Sequence, residues 1–165
     1  AEPDQRETIR KTISTIKDLT GTAPRGWMGP GLAETFETPD ILVEEGIEYV
    51  CDWCNDDQPY EMKVENGRLV SVPYTLELND IPIYLAQNHK SPEIFERARD
   101  QFDTLYREGA DSARVMCVST HPYITGVPHR IKYYDMIWEY IRQFDGVVFM
   151  TGSEILDWYN GAVGS

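Results

Sequence analysis

Apolar residues recur at helical intervals near the head of the chain, where Ile9, Ile13 and Ile16 stand among charged and polar neighbours and Gly21 closes the run. That spacing predicts a helix. A short extended stretch, APRGWMG at 23–29, follows and breaks at Gly29, Pro30 and Gly31. In TPDILVEEG at 38–46, Thr38 stands as N-cap, Pro39 in the first helical position and Gly46 as terminator. The β-rich run IEYVCD at 47–52 predicts a second strand. MKVENGRLVSV at 62–72 alternates apolar and polar residues around Asn66 and Gly67, a dipeptide suited to a type I′ turn, and predicts a hairpin.

After an irregular stretch, SPEIFERARDQFDTLYREG at 91–109 carries the strongest helical pattern in the chain. Ser91 caps it, Pro92 starts it, and Ile94, Phe95, Ala98, Phe102, Leu105 and Tyr106 share one face. ARVMCVSTH at 113–121 has the character of a buried strand. A loop, PYITGVPHR at 122–130, leads to a helix with Ile131, Tyr134, Ile137, Trp138 and Ile141 on one side. VVFM at 147–150 predicts the last strand, and Ser153 caps a short final helix carrying Ile155, Leu156 and Trp158. This alternation is that of a parallel α/β sheet or barrel, with no repeat, linker or low-complexity segment. The chain opens on a helix with no strand before it and offers about four main strands, whereas a closed β/α barrel takes about 250 residues. The expectation is the rear portion of something larger.

Composition narrows the partners. Among 165 residues, 41% are hydrophobic, enough for a core, and 15 Lys and Arg face 28 Asp and Glu for a net charge of −13. With no basic stripe, a phosphate backbone is repelled and nucleic acid is excluded as a partner. No apolar run reaches the roughly 20 residues that span a bilayer, and the first residues do not resemble a signal peptide, so the reading is a soluble, cytoplasmic chain with no membrane partner. Three cysteines argue against a disulfide framework and for a reducing compartment.

In parallel α/β folds chemistry gathers where strands end, because the loops there converge. Three strand ends here run into unusual residues: Arg25 and Trp27 after the first, the cluster Asp52, Trp53, Asn55, Asp56 and Asp57 after the second, and His121 after the third. Cys51 and Cys54 form a Cys-x-x-Cys pair, but a redox motif of that kind starts a helix, and a structural zinc site needs about four ligands. Plain packing is the expectation for Cys51. Asp52 either orients a histidine or caps the following turn; His121 is either an acid and base near neutral pH or a structural residue. Arg25 either pairs with a site carboxylate or lies on the surface.

The segments PRGWMGP, YVCDWCNDDQPY, VPYTLELNDIP and STHPYITGVPHR, in that order, resemble the rear half of a NodB-type polysaccharide deacetylase, on the branch that includes metal-independent allantoinases and cyclic imidases. The resemblance implies the C-terminal part of a distorted β/α barrel, with a β-hairpin insertion, that hydrolyses carbon–nitrogen amide bonds. Its substrates would be N-acetylated amino sugars or small cyclic amides. By the same resemblance Arg25 orients the catalytic base, Asp52 tunes the histidine, Trp53 lines the acyl pocket and His121 protonates the leaving amine. Asn79 and Asp80 fall in a substrate-side loop, and Asn55, Asp56, Tyr60 and Trp27 complete the substrate-binding candidates.

The departures carry information too. Trp27 stands where the family has a proline, and Ser119 where it has a leucine. The family's Asp-Asp and His-x-x-x-His motifs are absent, so no metal ligand is assigned in this chain and a zinc-like divalent metal would depend on upstream residues. The expected partners are the N-terminal half of the barrel or a second copy, and the chain alone is expected to be inactive. The alternative is a non-catalytic carbohydrate-binding or scaffold module in which Trp27, Trp53 and Tyr60 stack on sugar.

Overall fold

The structure, a computed structural model, describes residues 4–164. Its elements are α1 (Gln5–Thr20), β1 (Gly26–Trp27), α2 (Thr38–Glu44), β2 (Tyr49–Val50), β3 (Tyr60–Met62), β4 (Leu69–Ser71), α3 (Glu93–Glu108), α4 (Ile131–Ile141) and α5 (Gly152–Val163). A 3₁₀ turn at Pro30–Leu32 and a π-helical turn at Ile81–Ala86 complete them. The chain divides into two compact units, one running to Val72 and resuming at Met150, the other Pro73–Phe149.

The first unit holds the sheet. Its order is β1-β2-β4-β3, with β1, β2 and β4 parallel and β3 antiparallel to β4. The Asp4 carboxylate caps α1 on the Arg6 N–H, and Gly21 ends it in a left-handed conformation, φ 80°, as its place in the sequence predicts. Ile9 from α1 is buried with Ile41, Leu42, Ile47, Val50 and Leu69. Each such side chain contributes roughly 1.5–3 kcal/mol by leaving water, so this face rigidly supports the strand ends above it. Leu156 of α5 closes a smaller cluster with Val70 and Val72, and Cys51 packs against it as a small hydrophobe.

The second unit is helical. Ile94, Ala98 and Phe102 of α3 meet Ile137 and Ile141 of α4 over Leu78, Ile83 and Ile124. Phe102, Tyr106, Tyr140 and Phe144 add edge-on and stacked ring contacts at 4.9–5.9 Å between centroids.

Several local expectations are corrected. Thr38 is the first residue of α2, not its cap; its hydroxyl instead accepts the Thr35 N–H at 2.8 Å. Pro92, without a side-chain cap, stands before α3 in place of Ser91. The cap of α5 is Thr151, not Ser153, because only Thr151 has a glutamate three residues on: its hydroxyl accepts the Glu154 N–H while the Glu154 carboxylate accepts the Thr151 N–H. The hairpin exists, but its turn is not type I′. That turn needs positive φ at both central residues, and here Gly67 has it (79°) while Asn66 does not. The runs at 113–121 and 147–150 are not ladder-forming strands among the described residues. The first makes one isolated parallel bridge, Asn79 to Ser119, and Val148 and Phe149 in the second are 72% and 59% exposed.

Candidate active site

In the second unit one carboxylate organises the histidine. The Leu78 carbonyl accepts the Ser119 N–H at 2.9 Å and the Ser119 carbonyl accepts the Asp80 N–H at 3.2 Å, so a two-rung parallel bridge holds the chain before His121 against the chain before the π-helical turn. Asp80 sits between Leu78 and Ile83, all three at 0% exposure. A carboxylate that deep must have its oxygens filled by donors. It receives three: the His121 backbone N–H at 2.7 Å and the Thr125 hydroxyl at 2.7 Å on Oδ2, and His121 Nδ1 at 2.7 Å on Oδ1.

The sequence after His121 explains the third donor. Pro122 starts a helical turn in which the Ile124 and Thr125 N–H groups both donate to the His121 carbonyl at 2.9 Å, and this brings Thr125 beneath the same carboxylate. An acceptor on Nδ1 puts the ring hydrogen there and leaves Nε2 as the working nitrogen, with no hydrogen-bond partner among the described residues. The imidazole is about one-third exposed, with the Tyr123 ring edge-on at 5.7 Å. It is held from behind and open in front.

In the first unit a second carboxylate ends β2 in a different setting. The Gly29 N–H donates to both oxygens of Asp52, at 2.8 and 3.0 Å. Glycine is needed for that approach, because a Cβ at 29 would meet Asp52 Oδ2 at 3.0 Å and the Ala33 carbonyl at 2.9 Å. The chain then reverses through Gly31 and Leu32, both left-handed at φ 63° and 59°, and for leucine that conformation stores strain of about 1–3 kcal/mol. The reversal carries Glu34 to Asp52 and Trp53. Glu34 Oε2 accepts the Trp53 indole N–H at 2.9 Å, while Oε1 is buried with no N–H or O–H donor. Burial first, then hydrogen bonding with Asp52, pushes the Glu34 carboxyl up to about 7; burial likewise raises Asp52, opposed by the Gly29 N–H and by Glu34.

No protein-family model matches the chain. A Schizosaccharomyces pombe protein assigned as a polysaccharide deacetylase is 30% identical over 166 residues, covering 90% of this chain and 52% of that one. The peptidoglycan deacetylase of Helicobacter pylori is 28% identical over 186 residues, covering 93% of this chain and 62% of its own. The crystal structure of PuuE allantoinase superposes with a TM-score of 0.87 at 28% identity, over 98% of this chain and 54% of the allantoinase. The chain is similar in sequence to polysaccharide deacetylases and in fold to an allantoinase. It spans about half the length of the relatives it matches, and its fold is that part of their α/β barrel.

Set against the deacetylase and allantoinase resemblance, the expected site residues fall into two groups. The second unit joins His121 to Asp80, and Asn79, 8% exposed, turns its side-chain oxygen onto the Ile81 N–H at 3.0 Å. Asp80, expected to meet substrate, is fully buried and serves the histidine instead. Within the second unit the carboxylate on the His121 ring is that of Asp80. In the first unit Arg25 pairs with Glu48 at 2.7 Å and Asp157 at 2.7 Å, so its fork is spent on two carboxylates other than Asp52. Asn55 and Tyr60 hydrogen-bond each other at 3.0 and 3.2 Å, Asp56 accepts the Gln58 N–H at 2.9 Å as an Asx turn, and Trp27 packs into the buried cluster under β1. Trp53 remains 44% exposed and available to a ligand.

Glu34 and Thr125 were not singled out from sequence. The signals were a glutamate just beyond a Gly-Pro-Gly turn and a hydroxyl four residues after a His-Pro. Among the described residues no group of three or more His, Cys, Asp or Glu is placed to hold a metal ion.

Proposed function

We propose that this chain carries the proton-donating half of a hydrolase for carbon–nitrogen amide bonds, acting on N-acetylated amino sugars or small cyclic amides. The observation that carries the reading is the His121–Asp80 pair. An amide is a poor substrate because its nitrogen leaves as an anion unless it is protonated as the tetrahedral intermediate collapses. His121, with Nδ1 hydrogen-bonded to Asp80, is set to give the Nε2 proton to that nitrogen, and the buried carboxylate stabilises the imidazolium that holds it. The names of the relatives, deacetylases and an allantoinase, support this bond class. In the first unit, Trp53 is 44% exposed, and the resemblance assigns it to the acyl pocket.

The partner that completes such a site is a strand-bearing polypeptide. Val148 and Phe149, in the apolar run at 147–150, are 72% and 59% exposed, and an added strand would cover such side chains. The test is hydrolysis by the longest polypeptide the gene encodes, with an N-acetylated amino-sugar oligomer in one arm and a small cyclic amide in the other. Turnover in either arm is expected and identifies the substrate class; no turnover in both overturns the proposal.

A further inference from the structure

We propose that Glu34 is a positioning residue, which shares one proton with Asp52 and thereby fixes the indole of Trp53. The proposal rests on the hydrolase reading only in giving Trp53 the role of pocket wall. The geometry itself needs no such reading. Glu34 has two oxygens with different fates: Oε2 takes the indole N–H at 2.9 Å, and Oε1 is buried where no N–H or O–H reaches it. A buried acceptor left without a donor costs about 1–3 kcal/mol. The neighbour within hydrogen-bonding reach is another carboxyl, Asp52, which is 9% exposed and already held by the Gly29 N–H. Two ionised carboxylates in that position repel, whereas one proton between them satisfies Glu34 and removes the repulsion.

The proton belongs with Glu34. Asp52 has the backbone N–H that favours a charged carboxylate, whereas Glu34 has only the indole N–H and a buried second oxygen with no donor. The groups acting on the pair are the Trp53 indole on Glu34 and the Gly29 N–H on Asp52, and no other charged side chain acts on either among the described residues. The strained reversal at Gly31 and Leu32 has a consequence in this arrangement: it brings the glutamate in over the end of β2. Loss of the shared proton leaves two charges facing each other and loosens the arm that holds Trp53.

The indole N–H of Trp53 reports on this directly in a ¹⁵N–¹H spectrum. The chain has four tryptophans, and the Trp53 signal is the one lost in Trp53→Phe. In the wild-type chain that signal should shift with pH with a midpoint near 7. In Glu34→Gln it should stay fixed over the same range, and in Asp52→Asn the midpoint should fall toward the ordinary value of 4.5. A wild-type Trp53 signal that does not move between about pH 5 and pH 9, or one that moves equally in Glu34→Gln, overturns the proposal. The wild-type titration alone decides the matter if a variant fails to fold. Because the readout needs no turnover, titration without hydrolysis leaves the pair standing and sinks the hydrolase reading, and hydrolysis without titration does the reverse.

Discussion

Asp52 and Asp80 are both aspartates placed by short strands or bridges, both are buried, and the sequence assigned both to the site, yet their surroundings make them different chemical objects. Asp80 is filled by three donors, one of them an imidazole, so its oxygens are satisfied and it orients the His121 ring. Asp52 has one backbone donor and a second carboxyl beside it, so its surroundings favour keeping a proton in the pair. A carboxylate's role is set by its donors, not by its distance along the chain from a motif.

The largest expected effect separates them on stability. Asp80→Ala strands a backbone N–H, a hydroxyl and an imidazole N–H in a buried place and should cost about 3–5 kcal/mol in chemical denaturation. Asp80→Asn should also destabilise, since its NH₂ meets donors, whereas Asp52→Asn can accept from Gly29 and donate to Glu34 and should stay within about 1 kcal/mol of wild type. Equal losses for the two asparagine variants would erase the comparison.

A smaller effect is read against pH. The folded-state value of Glu34 is raised, from the ordinary 4.5 to about 7, so the folded chain binds more protons than the unfolded one between those values. The contribution of Glu34 to stability is therefore fully present below about 4.5 and is lost as pH rises through about 7. The stability of the wild type relative to Glu34→Gln should decline across that window and be flat above it; a rise would contradict the assignment. The smallest effect belongs to Thr125→Val, which removes one hydroxyl from Asp80 and should cost about 1 kcal/mol, with His121 kept in place by its own two bonds.

Much of this was legible before the fold. The helical periodicities of α1, α3 and α4, the parallel alternation and the hairpin follow from spacing, and His121 was reachable because a histidine leaving an apolar run through a proline is conspicuous. The rest depends on contacts that spacing does not encode. Asp80 stands just before the π-helical turn, and no motif marks it as the partner of a histidine 41 residues away. Glu34 is hidden by a leucine in a left-handed conformation that a sequence reader would not expect. The two apolar runs scored as strands because their composition suits burial, but a strand is defined by its neighbour, and that neighbour is not encoded in the run itself.

The proposal stands on Asp80, rather than Asp52, supporting His121 as the proposed acid. It is tested most directly by comparing kcat/KM for amide hydrolysis in Asp80→Asn and Asp52→Asn, made in the longest polypeptide the gene encodes. A loss on the order of a hundredfold or more is expected for Asp80→Asn and less than about tenfold for Asp52→Asn. The reverse order would contradict it.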